Sequence, residues 1–278
     1  MKNKKRGFLF YITHTIIWGI IVYLYLTHDK TSDPNSVFIW MTKSIVLCFL
    51  IILMYSKSTI LNRNALEFEY SNTKKPDLIH IFLIVGAGFF FNMLINNLYT
   101  VFFGSEILPN DKLIMNNIGL YIPFYISVCL LAPIIEEIIF RGYFYMLINN
   151  LVADIAERYA WPRFIRNEYR IKIISYVIIS SSVFAILHKQ SDFFTFLTYA
   201  LFGVILTVIF LITKRIWPGM IFHALNNTYA VLSLVYVKDD VSFGLMNIIL
   251  ISLATAIFPL AAVFYPNIKK ELLKIDNH

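Results

Sequence analysis

Residues 132–145 read APIIEEIIFRGYFY, setting two adjacent carboxylates, Glu136 and Glu137, and a guanidinium, Arg141, into an otherwise apolar run. A charge at membrane depth costs at least about 2.5–3.5 kcal/mol on insertion scales, so bilayer insertion alone gives no reason for three of them. On a helix, Glu137 and Arg141 fall at i and i+4, close enough to pair, while Glu136 is rotated about 100° around the axis from Glu137. The two glutamates therefore need different partners. One division has Arg141 neutralising and orienting Glu137 while Glu136 faces a cavity as a general base. The reverse assignment stays open, as does a purely structural salt network between helices.

The surroundings of that stretch define its solvent. The chain has 278 residues, 58% hydrophobic and 15% charged, with a mean hydropathy of +0.68. Those values lie far from soluble domains and point to lipid. Twenty-five Phe and 17 Tyr against 10 Gly and 9 Pro suit long helices with aromatic anchors at the interface; a β-barrel would show short alternating segments instead. The formal charge of +7 does not mark a nucleic-acid binder, because Lys and Arg fall between apolar runs and not along one helix face. Cys48 and Cys129 sit inside apolar runs, which excludes a disulfide framework or a cysteine zinc site and leaves them as small core residues.

About 20 apolar residues span a bilayer. Eight segments meet that measure: 7–27, 37–56, 78–98, 118–140, 172–190, 193–213, 216–236 and 243–265. The first has the basic flank of a signal peptide, but its apolar stretch is too long and no small-residue cleavage site follows, so it reads as a retained helix. The expected fold is all-α: a polytopic membrane helical bundle of about eight transmembrane helices, forming one integral membrane domain over residues 1–278. Only Lys214 and Arg215 separate the sixth and seventh spans. The connection 146–171, rich in charge, suits an amphipathic helix lying on the cytoplasmic surface. With both termini inside, 18 Lys and Arg fall on the cytoplasmic side and four, Lys30, Lys112, Lys189 and Lys238, on the other. Basic residues near span ends are retained in the cytoplasm, so that orientation is the expected one.

Other polar groups within the spans are few. His14 reads as a hydrogen-bonded core or interface histidine, Lys43 as a side chain snorkelling to the outer surface, and His80 lies near a cytoplasmic end. The fifth span closes on SSSVFAILHKQ (180–190), with Phe184 one turn before His188. The seventh carries WPGMIFHALNNTYA (217–230), with His223 and Asn227 one turn apart on one face. That pair can donate together to a developing oxyanion, or one member can ligate a metal while the other binds substrate. Two carboxylates, two histidines, an asparagine and an arginine supply a base, charge stabilisers and an orienting cation.

With these residues, the chain resembles the CAAX protease and bacteriocin-processing enzymes, also called Abi or CPBP intramembrane proteases. The family patterns EExxxR, FxxxH and HxxxN stand here as Glu136-Glu137-Ile138-Ile139-Phe140-Arg141, Phe184 to His188, and His223 to Asn227, in order and on separate spans. The resemblance covers residues 118–236, the expected catalytic core. It implies an all-helical bundle with a polar cavity, hydrolysing peptide bonds near the membrane; eukaryotic relatives remove the last three residues of prenylated proteins. Carried over by residue, Glu136 activates water with His188, His223 and Asn227 stabilise the oxyanion, and Glu137 and Arg141 support the site. The favoured route needs no cofactor. The alternative is a single zinc ion on Glu136, His188 and His223 with water as fourth ligand, although no HExxH helix fixes that spacing.

Strict 1.5 Å steps put Glu136 in the cytoplasmic half of span four and His188 toward the outer end of span five. Tilt and a start of span five near residue 175 are the expected remedy. The Ile-, Lys-, Asn- and Phe-rich composition resembles that of low-GC Gram-positive bacteria. The expected partners are therefore the lipid bilayer and a membrane-associated peptide or protein substrate, such as a bacteriocin or pheromone precursor. A non-catalytic self-immunity protein or regulatory membrane scaffold is the rival class within the same family. A transporter would show broken helices and repeat symmetry, which this sequence lacks. The charge bias gives a direct expectation: alkaline phosphatase fused after His278 is inactive and the same enzyme inserted near Asp33 is active, and the opposite pattern rejects the orientation.

Overall fold

The computed structural model describes Gly19 and residues 34–57, 76–103, 122–159, 162–188, 190–236 and 245–275. Among these, the chain forms seven helices and no strand: α1 (Pro34–Lys57), α2 (Leu78–Phe103), α3 (Ile122–Tyr159), α4 (Pro162–Leu187), α5 (Phe193–Thr213), α6 (Trp217–Tyr236) and α7 (Leu245–Ile275). Four stretches are long and apolar enough to cross a membrane: Leu78–Phe102, Ile122–Tyr159, Asn167–Leu187 and Phe193–Thr213. Shorter apolar stretches occupy Met41–Leu53 in α1 and Ile251–Asn267 in α7. The expected first span, with His14, lies outside the described residues apart from Gly19, as do Lys30, Lys112, Lys189 and Lys238. Large apolar side chains stand outward on these helices; Phe49, Phe82, Phe102, Ile178 and Val263 are all more than half exposed. Water would not tolerate such faces, and lipid solvates them.

Three boundaries differ from the sequence expectation. The helix of the fourth span does not end near residue 140 but continues to Tyr159, 38 residues in all. At 1.5 Å per residue that is about 57 Å, against a hydrocarbon core of about 30 Å. The amphipathic helix expected within 146–171 is thus largely the extension of α3, burying Tyr145, Met146, Ile148, Val152 and Ala156 along one face. The fifth span starts earlier, not later: α4 is helical from Pro162, helped by the Glu168–Lys172 pair at i and i+4, 2.6 Å apart. The start near residue 175 is not found. α7 runs ten residues beyond the expected end at 265, through Pro259 and Pro266.

The helices sort into two compact units: Met1–Tyr70 with Gly119–Ser180, and Ser71–Ile118 with Ser181–His278. In the first unit, α1 packs along the front half of α3. That half is not a uniform α-helix. Residues Ser127–Leu131 and Ile138–Tyr143 are π turns, closed by the Ala132 N–H donating to the Ser127 carbonyl and the Phe144 N–H donating to the Ile139 carbonyl. Pro133 explains the first, because a proline lacks the N–H and its ring crowds the carbonyl four residues back; the wider turn just before it relieves that clash. At the second, Gly142 lies against Tyr55 of α1, and a Cβ there would fall 2.5 Å from the ring.

In the second unit α2 is the hub, packed by α5, α6 and α7. Small residues bring the helices close: a Cβ on Gly88 would meet Ile205 and Ile209 of α5 at 3.0 Å, and one on Gly86 would meet Phe258 of α7 at 2.5 Å. α5 starts with a capping box, in which the Asp192 carboxylate accepts the Phe194 and Thr195 N–H groups while the Asp192 N–H donates to Thr195 Oγ1. It stops at Lys214, which takes the left-handed conformation (φ 55°) and donates its N–H to the Phe210 carbonyl. The Lys214-Arg215 pair is therefore a real helix boundary. α7 runs antiparallel to α2: Thr255 Oγ1 donates to the Phe90 carbonyl, and further along α7 Tyr265 and Lys269 reach Asp77 at the start of α2.

That last cluster ties α7 to α2 where their apolar stretches end. Asp77 caps α2 by accepting the His80 N–H at 2.9 Å, takes the Tyr265 hydroxyl at 3.1 Å and pairs with Lys269. The Lys269 hydrogen bond, then that from the His80 amide, holds the Asp77 carboxyl down to about 2, and the same Lys269 bond pushes the lysine up. A depressed carboxyl adds stability above the ordinary carboxylate range and loses it as pH falls through the folded value. The tether is therefore intact from about pH 5 to 9 and released as pH drops from about 4 toward 2. Hydrogen exchange over residues 265–275 is expected to stay flat across the neutral range and to accelerate only in that acid window. In Asp77→Asn the acid step disappears and the α7 end exchanges fast throughout.

Candidate active site

The EExxxR motif lies in the first unit, where α3 passes from α-helix into its second π turn. Glu137 is the last residue of the α segment and Arg141 sits in the π turn. Arg141 Nε lies 3.1 Å from Glu137 Oε2, and neither side chain has any exposed surface. The guanidinium carbon is 5.6 Å from the Phe140 ring centroid. Glu136, one residue earlier, is half-buried where Glu137 is fully buried, so the two carboxylates occupy different surroundings. Tyr176 of α4, also without exposed surface, donates its hydroxyl to the Phe140 carbonyl at 3.2 Å and meets the Tyr145 ring edge-on at 5.1 Å. A π turn displaces its carbonyls from the α-helical ladder, which gives a neighbouring hydroxyl an acceptor in an apolar interior.

The other two motifs lie in the second unit. α4 ends at Leu187, and His188 follows as the first residue past the helix, its N–H still donating to the Ala185 carbonyl at 3.1 Å. The His188 ring folds back over the last turn. It stacks on Phe184 at 4.3 Å and on Tyr199 of α5 at 4.9 Å, with Nδ1 2.8 Å from the Phe184 carbonyl oxygen. This gives the FxxxH spacing a physical meaning, since residue i supplies both a stacking face and a carbonyl to the imidazole at i+4. With the proton on Nδ1 that nitrogen donates to the carbonyl, and Nε2 keeps the lone pair that can take a proton. Gln190 fastens the turn by donating its Nε2 to the Ala185 carbonyl. Gly203 lets α5 come close, because a Cβ there would sit 3.0 Å from the Ser181 Cα.

His223 is 2% exposed on α6, edge-on to Phe184 at 5.8 Å and to Phe202 at 5.1 Å. One α4 phenylalanine thus touches both histidines, stacked on one and perpendicular to the other. Asn227 lies one turn beyond His223 on α6 and is half-buried. Tyr176, Tyr199 and Asn92, none of them singled out from sequence, surround the motifs. Asn92 of α2 is 2% exposed and donates to Asn226. Its signal was available, as an amide inside the apolar run of α2, whereas two tyrosines among many carry none. Lys43 is exposed on α1, and His80 lies 5.7 Å from the Tyr265 ring beside the Asp77 tether. Among the described residues, neither unit gathers three His, Cys, Asp or Glu side chains as a metal-binding group.

The fold and its motifs define a helical membrane protein with a buried carboxylate–arginine pair in one unit and an imidazole–aromatic cluster in the other. Residues 118–229 match the family described as Type II CAAX prenyl endopeptidase Rce1-like. The membrane-embedded CAAX protease MroQ of Staphylococcus aureus (strain USA300) is 26% identical over 205 residues, covering 69% of this chain and 75% of that protein. No solved structure matches the chain. Over those residues the chain is similar to the CAAX proteases, a family of membrane-embedded peptidases.

The Glu137–Arg141 pair carries a clear energetic expectation. Removing one member of a buried pair leaves the other charge without compensation and costs roughly 3–5 kcal/mol, whereas replacing both by apolar groups of similar volume is often neutral. Arg141→Ala is therefore expected to lower folded yield and thermal stability in detergent sharply, and Glu137→Leu/Arg141→Leu to recover most of that stability. Thermal unfolding of the three purified proteins checks this, and a double variant as unstable as Arg141→Ala contradicts it.

Proposed function

We propose that the chain is an intramembrane endopeptidase hydrolysing a peptide bond of a membrane-associated peptide or protein. The observation that carries this reading is the buried Glu137–Arg141 pair with a second carboxylate, Glu136, directly beside it. One ion pair can serve structure alone, but an additional carboxylate in the same apolar helix is a standing cost that calls for a chemical use. In this reading Glu136 removes a proton from water as its oxygen attacks the scissile carbonyl carbon. His188 assists through Nε2. The negative charge that develops on the carbonyl oxygen is met by hydrogen bonds from His223 and Asn227. The tetrahedral intermediate collapses as the C–N bond breaks and the proton passes to the leaving nitrogen. Glu137 and Arg141 hold the helix around the base.

The name of the staphylococcal relative, a membrane-embedded CAAX protease, supports peptide hydrolysis. The composition favours a bacterial cell membrane and peptide precursors over prenylated proteins. The 18-to-four charge bias supports eight crossings with both termini cytoplasmic, and the antiparallel run of α2 and α7 agrees with a third and an eighth crossing.

Glu136→Gln keeps side-chain volume and loses the base, so cleavage is expected to fall by at least about 10²-fold. Asn227→Ala is expected to lose roughly 10²- to 10³-fold through the oxyanion. The measurement compares, by mass spectrometry, the membrane peptides of cells expressing each variant at matched abundance with those of cells expressing the parent. Activity of the purified parent is expected to survive exhaustive chelation; one tightly bound zinc per active chain, lost in His188→Ala, replaces the glutamate route with a metal one. If Glu136→Gln and His188→Ala both process as the parent does, a non-catalytic immunity or scaffold role takes the place of the peptidase.

A further inference from the structure

The sequence HALNN leaves a choice that the HxxxN spacing does not make, because residues 226 and 227 are both asparagine. On a helix their side chains leave the axis about 100° apart, and a rotation of one residue exchanges them. In the second unit Asn226 is committed. Asn92, 2% exposed on α2, donates its Nδ2 to Asn226 Oδ1 at 2.6 Å. The contacts around that bond belong to the same stripe of α6. A Cβ on Gly88 would lie 3.5 Å from Phe222, and Phe89 meets Tyr229 edge-on at 5.9 Å. Phe222, Asn226 and Tyr229 follow one another at i, i+4 and i+7, so they form the face of α6 turned to α2. His223 and Asn227 each stand one residue further on, in the neighbouring stripe; His223 meets Phe184 and also Phe202, whose other neighbour on α6 is Phe222 at 5.3 Å.

We propose that the Asn92–Asn226 amide pair is a register lock, fixing the rotation of α6 so that Asn227, and not Asn226, shares a face with His223. Apolar contacts between helices tolerate sliding and rotation, since one branched side chain replaces another at little cost. An amide pair in an apolar interior does not, because any other register leaves a buried polar group without its bond. Single buried asparagines set register in coiled coils in the same way. Asn92 is thus a positioning residue acting through Asn226. The chemical consequence for Asn227 rests on the peptidase reading, but the register itself does not.

The test uses the full chain in bilayer nanodiscs, with Cys48 and Cys129 replaced by alanine and a cysteine pair introduced by Phe89→Cys and Tyr229→Cys. Asn92→Leu alone strands the Asn226 amide and can fail to fold, so the deciding variant is Asn92→Leu/Asn226→Leu, which removes both amides and keeps apolar volume. Disulfide formation between positions 89 and 229 is expected to fall about tenfold in that variant, the scale of population shift set by one interhelical hydrogen bond. On an internally quenched, lipid-anchored peptide that the parent cleaves, kcat is expected to fall by a similar factor with KM unchanged and folded yield restored. A double variant with parental cross-linking and parental kcat overturns the lock, because a merely structural amide pair can be removed whole without consequence. If the parent cleaves no such peptide, the peptidase reading fails on its own, and the cross-linking still decides the register.

Discussion

Arg141 Nε and Glu137 Oε2 meet at 3.1 Å with no surface exposed on either side chain, and the front half of α3 is arranged around that contact. Two charges taken out of water are held only if their hydrogen-bonding and steric surroundings are fixed, because the attraction between them barely exceeds the cost of desolvation. The π turn at Ile138–Tyr143 sets where the guanidinium lies, Gly142 admits the Tyr55 ring against that turn, and Tyr176 takes up the Phe140 carbonyl. Each of these features would be a weakness in a helix serving only to cross a bilayer. Together they show a helix shaped around its charges.

The second unit holds its imidazoles among aromatic rings. Imidazole is polar at two nitrogens and flat on both faces, so it can be buried by stacking if one nitrogen finds an oxygen. His188, half-buried, is held between Phe184 and Tyr199, with the Phe184 carbonyl at Nδ1. His223 is buried instead against ring edges. An imidazole held at Nδ1 presents Nε2 in a fixed direction, which the proposed proton transfer requires and a core histidine does not. Rigidity comes from the helix ends: Asp192 caps α5 and Gln190 closes the turn that follows His188. The loop bearing the histidine is therefore short and fastened at both ends.

Much of this was legible in the sequence, for reasons that differ by element. The helix Phe193–Thr213 matches its expected span to the residue, because an Asp192 cap on one side and the Lys214-Arg215 pair on the other are chemical stops. The Glu137–Arg141 contact followed from the 3.6-residue period alone. The length of α3 was not legible from hydropathy, since its last turns, Asp154 to Tyr159, are polar outside and apolar only along one stripe, and hydropathy averages the two. The early start of α4 was hidden for the same reason. The π turns left a single clue, Pro133, and nothing marked the turn at Ile138–Tyr143, where the deciding contact is with a ring from another helix. Tyr176 and Tyr199 were invisible among many aromatics, because their importance lies in what they touch.

Two of the three motifs hold a doublet, Glu136-Glu137 in one and Asn226-Asn227 in the other, and in each doublet one member is bonded to a named side chain of its own unit. Consecutive residues on a helix diverge by about 100°, so the two members of a doublet leave the axis in different directions. Glu137 is taken by Arg141 and Asn226 by Asn92, while Glu136 and Asn227 each stand on the adjoining stripe, half-buried. Asn226 takes its bond from another helix, which fixes the rotation of α6, whereas Glu137 takes its bond from within α3, which fixes the side chains of that turn. Under the proposed peptidase chemistry one short side chain could not both keep such a bond and meet a substrate, because it cannot reach in both directions. A doublet adds one more polar group to an apolar helix, and in each case the named partner lies within the same unit. On this argument the identity of the second residue in each doublet follows from its anchor. Glutamate is required at 137 because the anchor at 141 is a cation, and an amide at 226 because the anchor at 92 is an amide.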